Sequence, residues 1–208
     1  MTAEKKQLAN YERRRTQIIG VATRLFARKG YTATSVNEIC SATKMGRGVL
    51  YYYLPGGKQE LLFQIHERFI QRLTDDFEAA VAPDRPADES LRELGCALMK
   101  IITEYKDEVT VFFHEWKSLV SNKKMWPEVR ARRRYIEDIV RTEIERGQSE
   151  GVFQPVDAKL ATLAFFGMHN WAYQWVDPRG RIDSATIAST FSLLFLDGLR
   201  KPATACPA

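Results

Sequence analysis

Apolar residues recur along nearly the whole chain at intervals of three and four, the spacing of one face of an α-helix. The alternation of apolar and polar residues that is typical of β-strands is absent from the sequence. Helix end signals divide the pattern into about nine helices: one closing at Gly30 and others near 35–43, 46–53, 58–80, 91–105, 109–120, 127–150, 157–175 and 184–199. The sequence therefore predicts an all-α fold.

Residues 35–53 predict two short helices joined by a tight turn. Ser35 is a candidate N-cap, and Glu38 follows it by three residues, which is the spacing of a capping box. The second short helix places Val49 and Leu50 where we expect them to face the core. Pro55-Gly56-Gly57 then ends that helix, and a long helix begins near Lys58. This layout is typical of a helix-turn-helix that enters the major groove of DNA.

The charge of the chain is concentrated at one end. The formal net charge is +5, but residues 1–60 hold 11 Lys/Arg against 4 Asp/Glu, whereas residues 61–208 hold 20 against 22. A basic end on a near-neutral body favours a polyanionic partner for the N-terminal part alone.

Cysteine and hydropathy indicate the compartment. The three cysteines, Cys40, Cys96 and Cys206, form no CxxC pair, so we expect neither a disulfide framework nor a structural zinc site. The N-terminus lacks the apolar core of a signal peptide, and no apolar run reaches the length of a membrane span. The predicted location is the cytoplasm, without a membrane partner.

Sequence signals for catalysis are weak. His114-Glu115 lacks the second histidine of a zinc-binding HExxH motif, and neither a GxSxG elbow nor a P-loop occurs. The three histidines, His66, His114 and His169, lie on separate predicted helices, so we expect no metal site and no cofactor. Two alternatives remain open: a helical enzyme with an unrecognised site, and a helical adaptor whose basic end binds a membrane or an acidic protein.

The segment GYTATSVNEICSATKMGRGVLYYYLPGGKQELL resembles the N-terminal domain of TetR-family transcriptional regulators. The matching elements are Gly30-Tyr31, Thr34-Ser35, Ile39, Leu50-Tyr51 and Lys58. The resemblance implies a helix-turn-helix DNA-binding domain over residues 1–57 and a ligand-binding and dimerisation domain over residues 58–208. The long helix from Lys58 should belong to both, because no flexible linker separates them.

The chain departs from the family pattern at three places. Lys44 stands in the turn where the family usually has glycine, and a non-glycine residue in a left-handed conformation is strained. Leu54 replaces the usual phenylalanine, and the connection at residues 55–57 is one residue longer than is common. Because Lys58 follows this connection directly, the extra residue affects where Lys58 lies relative to a DNA phosphate.

Chemistry and resemblance together predict contacts with double-stranded operator DNA. An arginine can bind guanine through two hydrogen bonds, and tyrosines and lysines can reach phosphates. The predicted DNA-contacting residues are Thr34, Ser35, Lys44, Gly46, Arg47, Gly48, Tyr51, Tyr52, Tyr53 and Lys58. For Tyr51 the alternative is core packing, and for Ser35 it is capping alone. The run Arg13-Arg14-Arg15 is either a solvated helix start or an arm that reaches the minor groove.

An aromatic-rich set in the second half predicts a site for a small hydrophobic effector, because such sites combine an apolar wall with a few polar groups. The set is Phe113, His114, Trp116, Phe165, Met168, His169, Trp171 and Trp175. The alternative is that most of these aromatics are core residues. This half is similar to TetR-type repressors of lipid and steroid catabolism, which implies an effector of the acyl-CoA thioester class. Arg130, Arg132, Arg133 and Arg134 could meet its phosphates or form a solvated helix face.

The last two predicted helices carry apolar residues suited to a homodimer interface in the form of a four-helix bundle. These residues are Leu160, Leu163, Ala164 and Gly167, with Phe191, Leu194, Phe195 and Leu199 on the other helix. A two-fold dimer would place two reading helices about 34–36 Å apart on a near-palindromic operator. The overall prediction is a TetR-like repressor that an effector releases from DNA.

Overall fold

The computed structural model describes residues 3–121, 123, 125–177 and 180–200. Cys206 and the part of the predicted second domain beyond Arg200 lie outside these described residues. Within them the chain forms helices and no strand, so the predicted all-α fold is confirmed. The helices are α1 (Ala3–Lys29), α2 (Val36–Thr43), α3 (Arg47–Tyr53), α4 (Gly57–Ala80), α5 (Ala87–Glu104), α6 (Lys106–His114), α7 (Trp116–Val120), α8 (Trp126–Ser149), α9 (Ala158–Asn170), α10 (Ala172–Trp175) and α11 (Ser184–Leu199).

Two predicted helices are each divided in the structure. Glu115, with φ −97° and ψ 16°, separates α6 from α7. Trp171 is a turn residue between α9 and α10. The apolar spacing continues through both positions, so periodicity alone predicts one helix in each place.

The chain divides into two compact units. The first holds the described residues up to Ile70 together with Asp107–Arg130, and the second holds Gln71–Lys106 and the described residues from Ala131 onward. The division falls inside α4 and α8 and after the first residue of α6. The first unit is thus larger than the predicted domain 1–57, because α4 and the α6–α7 segment contribute to its core.

The core of the first unit surrounds the helix-turn-helix. It is formed by Ile18, Ile19, Ala22, Phe26, Ile39, Cys40, Leu50, Leu54, Leu61, Leu62, Ile65, Val111 and Leu119, all of which are buried. Burying a large aliphatic side chain contributes about 1.5–3 kcal/mol. Leu54, at the position where the family usually has phenylalanine, is fully buried. The two helices of the helix-turn-helix are therefore held against α1 and α4 by one continuous apolar cluster.

The second unit is organised around α5, which packs along α11 and also contacts α9. Phe165 and Phe195 meet edge to face with ring centroids 5.4 Å apart. Phe195 and Leu199, predicted for the dimer surface, are only 9% and 6% exposed. Their prediction as dimer contacts is wrong because they lie on the face of α11 that is buried within the unit.

Among the described residues, no helix combines the length and apolar character that crossing a membrane requires.

Candidate nucleic-acid interface and ligand site

The capping box predicted at the start of α2 is present. Ser35 has an extended backbone, and its Oγ accepts a hydrogen bond of 3.2 Å from the backbone N–H of Glu38. In return, Glu38 Oε2 accepts one of 2.8 Å from the backbone N–H of Ser35. Hydrogen bonds from Lys29 and from Ser35 lower the pKa of Glu38 to about 2. The Ser35 hydroxyl is therefore engaged in capping.

The turn between α2 and α3 is a Schellman motif. Lys44 has φ 55° and ψ 40°, and among the described residues it is the one non-glycine with a positive φ. The backbone N–H of Lys44 donates to the Ser41 carbonyl at 3.2 Å, and that of Met45 donates to the Cys40 carbonyl at 3.0 Å. The left-handed conformation expected at this family glycine position is thus adopted by a lysine whose side chain is exposed.

Helix α3 presents a polar, open face. Arg47 is exposed, and its Nε donates a hydrogen bond of 2.7 Å to Asn37 Oδ1 on α2. A Cβ added at Gly46 or Gly48 would meet no atom within 4 Å, so the backbone there is accessible. Val49 is 47% exposed, which corrects the prediction that it faces the core. A helix of seven residues buries a single narrow face, and Leu50 occupies it.

The three tyrosines at the end of α3 have different environments. Tyr52 is 66% exposed and Tyr51 45%, whereas Tyr53 is half-buried. The Tyr51 ring lies against Gly57, where an added Cβ would be 3.0 Å from its Cε1 atom. Tyr11 of α1 joins the cluster, with its ring 5.8 Å from that of Tyr52 and 4.9 Å from that of Tyr53. Tyr52 is therefore the most accessible of the three.

Two of the predicted DNA contacts are used inside the unit. Thr34 is fully buried, and its hydroxyl donates to the Gly30 carbonyl at 2.8 Å, so its side chain is not available to DNA. Lys58 donates to the carbonyls of Tyr31 and Thr34 at 2.9 and 3.0 Å. Its Nζ also lies 4.3 Å from the centroid of the Tyr31 ring. The Lys58 ammonium thus ties the start of α4 to the loop before α2.

Three residues of this surface escaped the sequence reasoning: Asn37, Val49 and Tyr11. Asn37 is recognised only through its contact with Arg47, ten residues away. The sequence did contain a signal for Tyr11. Positions 11, 15, 18 and 22 have helical spacing, so they extend the inward-facing side of α1 towards its N-terminus.

The predicted effector set is divided between the two units. Phe113, His114 and Trp116 belong to the first unit, and the other five belong to the second. Phe165 and His169 are buried, Met168 is half-buried, and Trp171 and Trp175 are 64% and 50% exposed. The two tryptophans are exposed while Phe165 and His169 are buried, so the single wall predicted from helical spacing does not form within the second unit.

His169 is the best-defined polar group of this set. Its Nδ1 lies 2.8 Å from the Phe165 carbonyl, which can only accept, so Nδ1 carries the proton and Nε2 is an acceptor. Burial lowers the pKa of His169, which keeps the ring neutral. Nε2 and the buried Oγ of Ser192 have no hydrogen-bond partner among the described residues, and both lie beside Gly95.

Two other kinds of ligand group were considered in the sequence: metal-binding side chains and the arginines that could meet CoA phosphates. In the described part of the chain, no three His, Cys, Asp or Glu side chains are grouped so that they could hold a metal ion. Within the arginine run of α8, Arg130 is exposed, while Arg132 donates to Gln71 at 3.0 Å.

The capped helix, the left-handed turn and the short helix with an open polar face define a helix-turn-helix DNA-binding protein. Residues 18–65 match bacterial regulatory proteins of the tetR family, and residues 84–199 match the tetracyclin repressor-like C-terminal domain. The chain therefore belongs to the TetR family of transcriptional regulators, as the resemblance implied, and is not an enzyme.

Individual relatives agree with this assignment over most of the chain. The HTH-type transcriptional repressor KstR2 of Rhodococcus jostii is 27% identical over 199 residues, which span 91% of this chain and 92% of KstR2. The structure of PfmR from Thermus thermophilus is 30% identical with a TM-score of 0.81, covering 88% of this chain and 99% of PfmR. AibR in complex with isovaleryl coenzyme A and operator DNA is 26% identical with a TM-score of 0.79, covering 87% and 97%.

Proposed function

We propose that the chain is a repressor that binds a near-palindromic operator as a homodimer and is released by a small hydrophobic effector. The observation that carries the proposal is the surface of α3, where Arg47, Gly48, Val49 and Tyr52 are exposed while Leu50 anchors the helix in the core. Repression is supported by the likeness to KstR2, which is a repressor. Operator binding requires access to chromosomal DNA, and we therefore propose a cytoplasmic location.

The proposed DNA contacts follow the exposed side chains. Arg47 reads a guanine, with Asn37 holding the guanidinium at the edge of α3. The backbone at Gly46 and Gly48 approaches the base edges, and Val49 meets a thymine methyl. The exposed side chains of Tyr51 and Tyr52, the Lys44 ammonium and the N-terminus of α2 at Ser35 contact phosphates. Tyr53 supports this surface from its half-buried position.

The proposed dimer surface is an apolar stripe on α9 and α11. Leu160 and Leu163 are 64% and 52% exposed, and Ala164 and Gly167 lie beside them on the same face. On α11, Leu193 and Leu194 are 58% and 61% exposed. Exposed leucines on two neighbouring helices fit a second copy of the same stripe, because a two-fold interface is self-complementary.

We further propose an acyl-CoA thioester as the effector, by analogy with AibR, which was solved with isovaleryl coenzyme A. Phe165 and Met168 supply apolar contacts, and the neutral His169 supplies an acceptor for an N–H or O–H group of the ligand. Effector and operator then weaken each other's binding by the same factor, as linkage requires.

The test begins with selection of duplexes from a random-sequence pool by the full chain. We expect an inverted repeat with half-sites about one helical turn apart. Binding to the selected duplex is then titrated with isovaleryl-CoA, with palmitoyl-CoA and, as the control, with free CoA. A thioester should weaken DNA binding and free CoA should not. Selection of no preferred sequence would contradict the operator proposal, and thioesters that bind without changing DNA affinity would contradict the effector proposal.

A further inference from the structure

The peptide of Tyr31 is held from both sides by charged side chains of other helices. Its N–H donates to Oε1 of Glu115, at the junction of α6 and α7, over 2.8 Å. Its carbonyl accepts from Lys58 Nζ, at the start of α4, over 2.9 Å. Hydrogen bonds with an ionised partner are roughly twice as strong as those between neutral groups. One residue of the loop is therefore fixed by two strong contacts that the sequence pattern did not predict.

The contacts around Tyr31 extend to its side chain and to its neighbours. Lys58 lies over the Tyr31 ring, and the ring meets Phe26 edge to face at 5.2 Å. Burial, together with the charge of Glu115, raises the pKa of Tyr31. Gly30 has φ +83°, and a Cβ added there would lie 3.5 Å from Glu115 Oε1. The Glu115 carboxylate thus sits directly against the end of α1.

This loop determines how the helix-turn-helix begins. Thr34 is buried and bonded to the Gly30 carbonyl, and Ser35 immediately caps α2. Only three residues separate Tyr31 from the cap, so a displacement of the Tyr31 backbone is passed to α2. Ile39 of α2 and Leu50 of α3 share one core, so α3 moves with α2.

We propose that Glu115 is a positioning residue for DNA binding: through the Tyr31 backbone, and together with Lys58, it holds α2 and α3 in the orientation that reads the major groove. The proposal rests on the DNA-binding function proposed above. The α6–α7 junction would then connect the effector to the DNA-binding helices, because His114 and Trp116 of the predicted effector set flank Glu115 in the chain. A ligand that moves this junction would act on the Tyr31 backbone directly.

Charge effects and positioning predict opposite results when Glu115 is replaced. Removing a carboxylate from a DNA-binding protein reduces its repulsion from phosphates, so charge alone predicts that Glu115→Ala binds DNA more tightly. Positioning predicts weaker binding, by about ten-fold, the lower end of what a hydrogen bond to a charged group contributes. Glu115→Gln keeps an oxygen that can accept from the Tyr31 N–H but loses the ionised partner, so it should bind DNA about three-fold more weakly than the parent and more tightly than Glu115→Ala.

Two further variants separate the contact from the charge. Glu115→Asp keeps the charge but shortens the side chain by one methylene, so it should bind DNA as weakly as Glu115→Ala. Asp107→Ala removes an exposed carboxylate of α6 in the same unit and, because only charge is lost, should bind DNA as tightly as the parent or slightly more tightly. Affinity is measured by fluorescence anisotropy on the selected duplex, and a thermal melt verifies that each variant is folded.

Amide hydrogen exchange provides a readout that does not depend on DNA. The segment 31–35 should exchange faster in Glu115→Ala and Glu115→Asp than in the parent, and more slowly in Glu115→Gln than in either of those two variants. If Glu115→Ala fails to fold, Glu115→Asp and Glu115→Gln still decide the question. Unchanged exchange and unchanged or tighter DNA binding in Glu115→Asp would overturn the proposal. Failure of the parent itself to select any duplex would instead count against the proposed function, while the exchange experiment would still report on the positioning contact.

Discussion

Replacing Leu163 and Leu193 together by alanine should convert the dimer into a monomer at working concentrations. The two side chains lie on α9 and α11 and are 52% and 58% exposed in the protomer. An exposed leucine that becomes covered by a partner contributes by the hydrophobic effect, and alanine removes most of that contribution.

The magnitude follows from the exposed fractions. Full burial of a leucine contributes about 1.5–3 kcal/mol, so covering the exposed half contributes about 1 kcal/mol. Because of the two-fold symmetry, each of the two leucines lies in the interface twice. The double replacement therefore removes four such contributions, about 4 kcal/mol of the free energy of dimerisation. The dimer dissociation constant should therefore rise roughly 1,000-fold.

Sedimentation velocity over a dilution series measures this change. Leu8→Ala is the matched control, because Leu8 is 64% exposed but lies on α1 in the first unit. The control should dimerise like the parent. If the double variant keeps the parent's dissociation constant, the stripe on α9 and α11 is not the interface. If the Leu8 variant weakens dimerisation equally, the argument from exposed area is wrong.

Three further predictions concern the first unit. Arg47→Ala should lose discrimination at one base position by ~1–3 kcal/mol in a competition assay, and equal weakening on every sequence would make Arg47 a phosphate contact. Glu38, whose pKa is about 2 in the fold against an ordinary 4.5, stabilises the protein fully above pH 4.5 and progressively less as the pH falls towards 2. The difference in Tm between the parent and Glu38→Gln should accordingly shrink below pH 4.5, and a constant difference would exclude this contribution. Arg13, whose guanidinium donates to the neutral Asn10, should contact a phosphate, so Arg13→Gln should lower the salt slope of DNA binding by about one. Arg28→Gln, about 22 Å further along α1, should not change that slope.

Local signals in the sequence predicted the helix-turn-helix well. Ser35 and Glu38 form a capping box because both bonds are made within four residues, and Gly30 ends α1 because its positive φ suits glycine. Such features depend on neighbours in the chain, which a sequence shows directly. The TetR resemblance added the expected turn at Lys44, where the left-handed backbone is present.

Features that depend on distant residues were missed or misjudged. Thr34 has the chemistry of a phosphate ligand, but the way its loop folds back on α1 buries it. Lys58 has the charge for DNA, but the carbonyls that it binds lie 24 and 27 residues earlier. The effector set was chosen from aromatic content, and nothing in helical spacing indicates which compact unit a helix joins. Glu115 interrupts a helix without disturbing the apolar period.

Because Lys44 has a left-handed conformation, backbone stability and positive charge favour different residues at this position. A non-glycine residue in this conformation costs roughly 1–2 kcal/mol, which glycine would avoid. A glycine there would also remove one exposed positive charge from the turn between α2 and α3. A more stable chain and a more strongly cationic turn are therefore alternatives at residue 44. This protein carries lysine at this position, so selection of variants for thermal stability alone should favour glycine there, with loss of the positive charge.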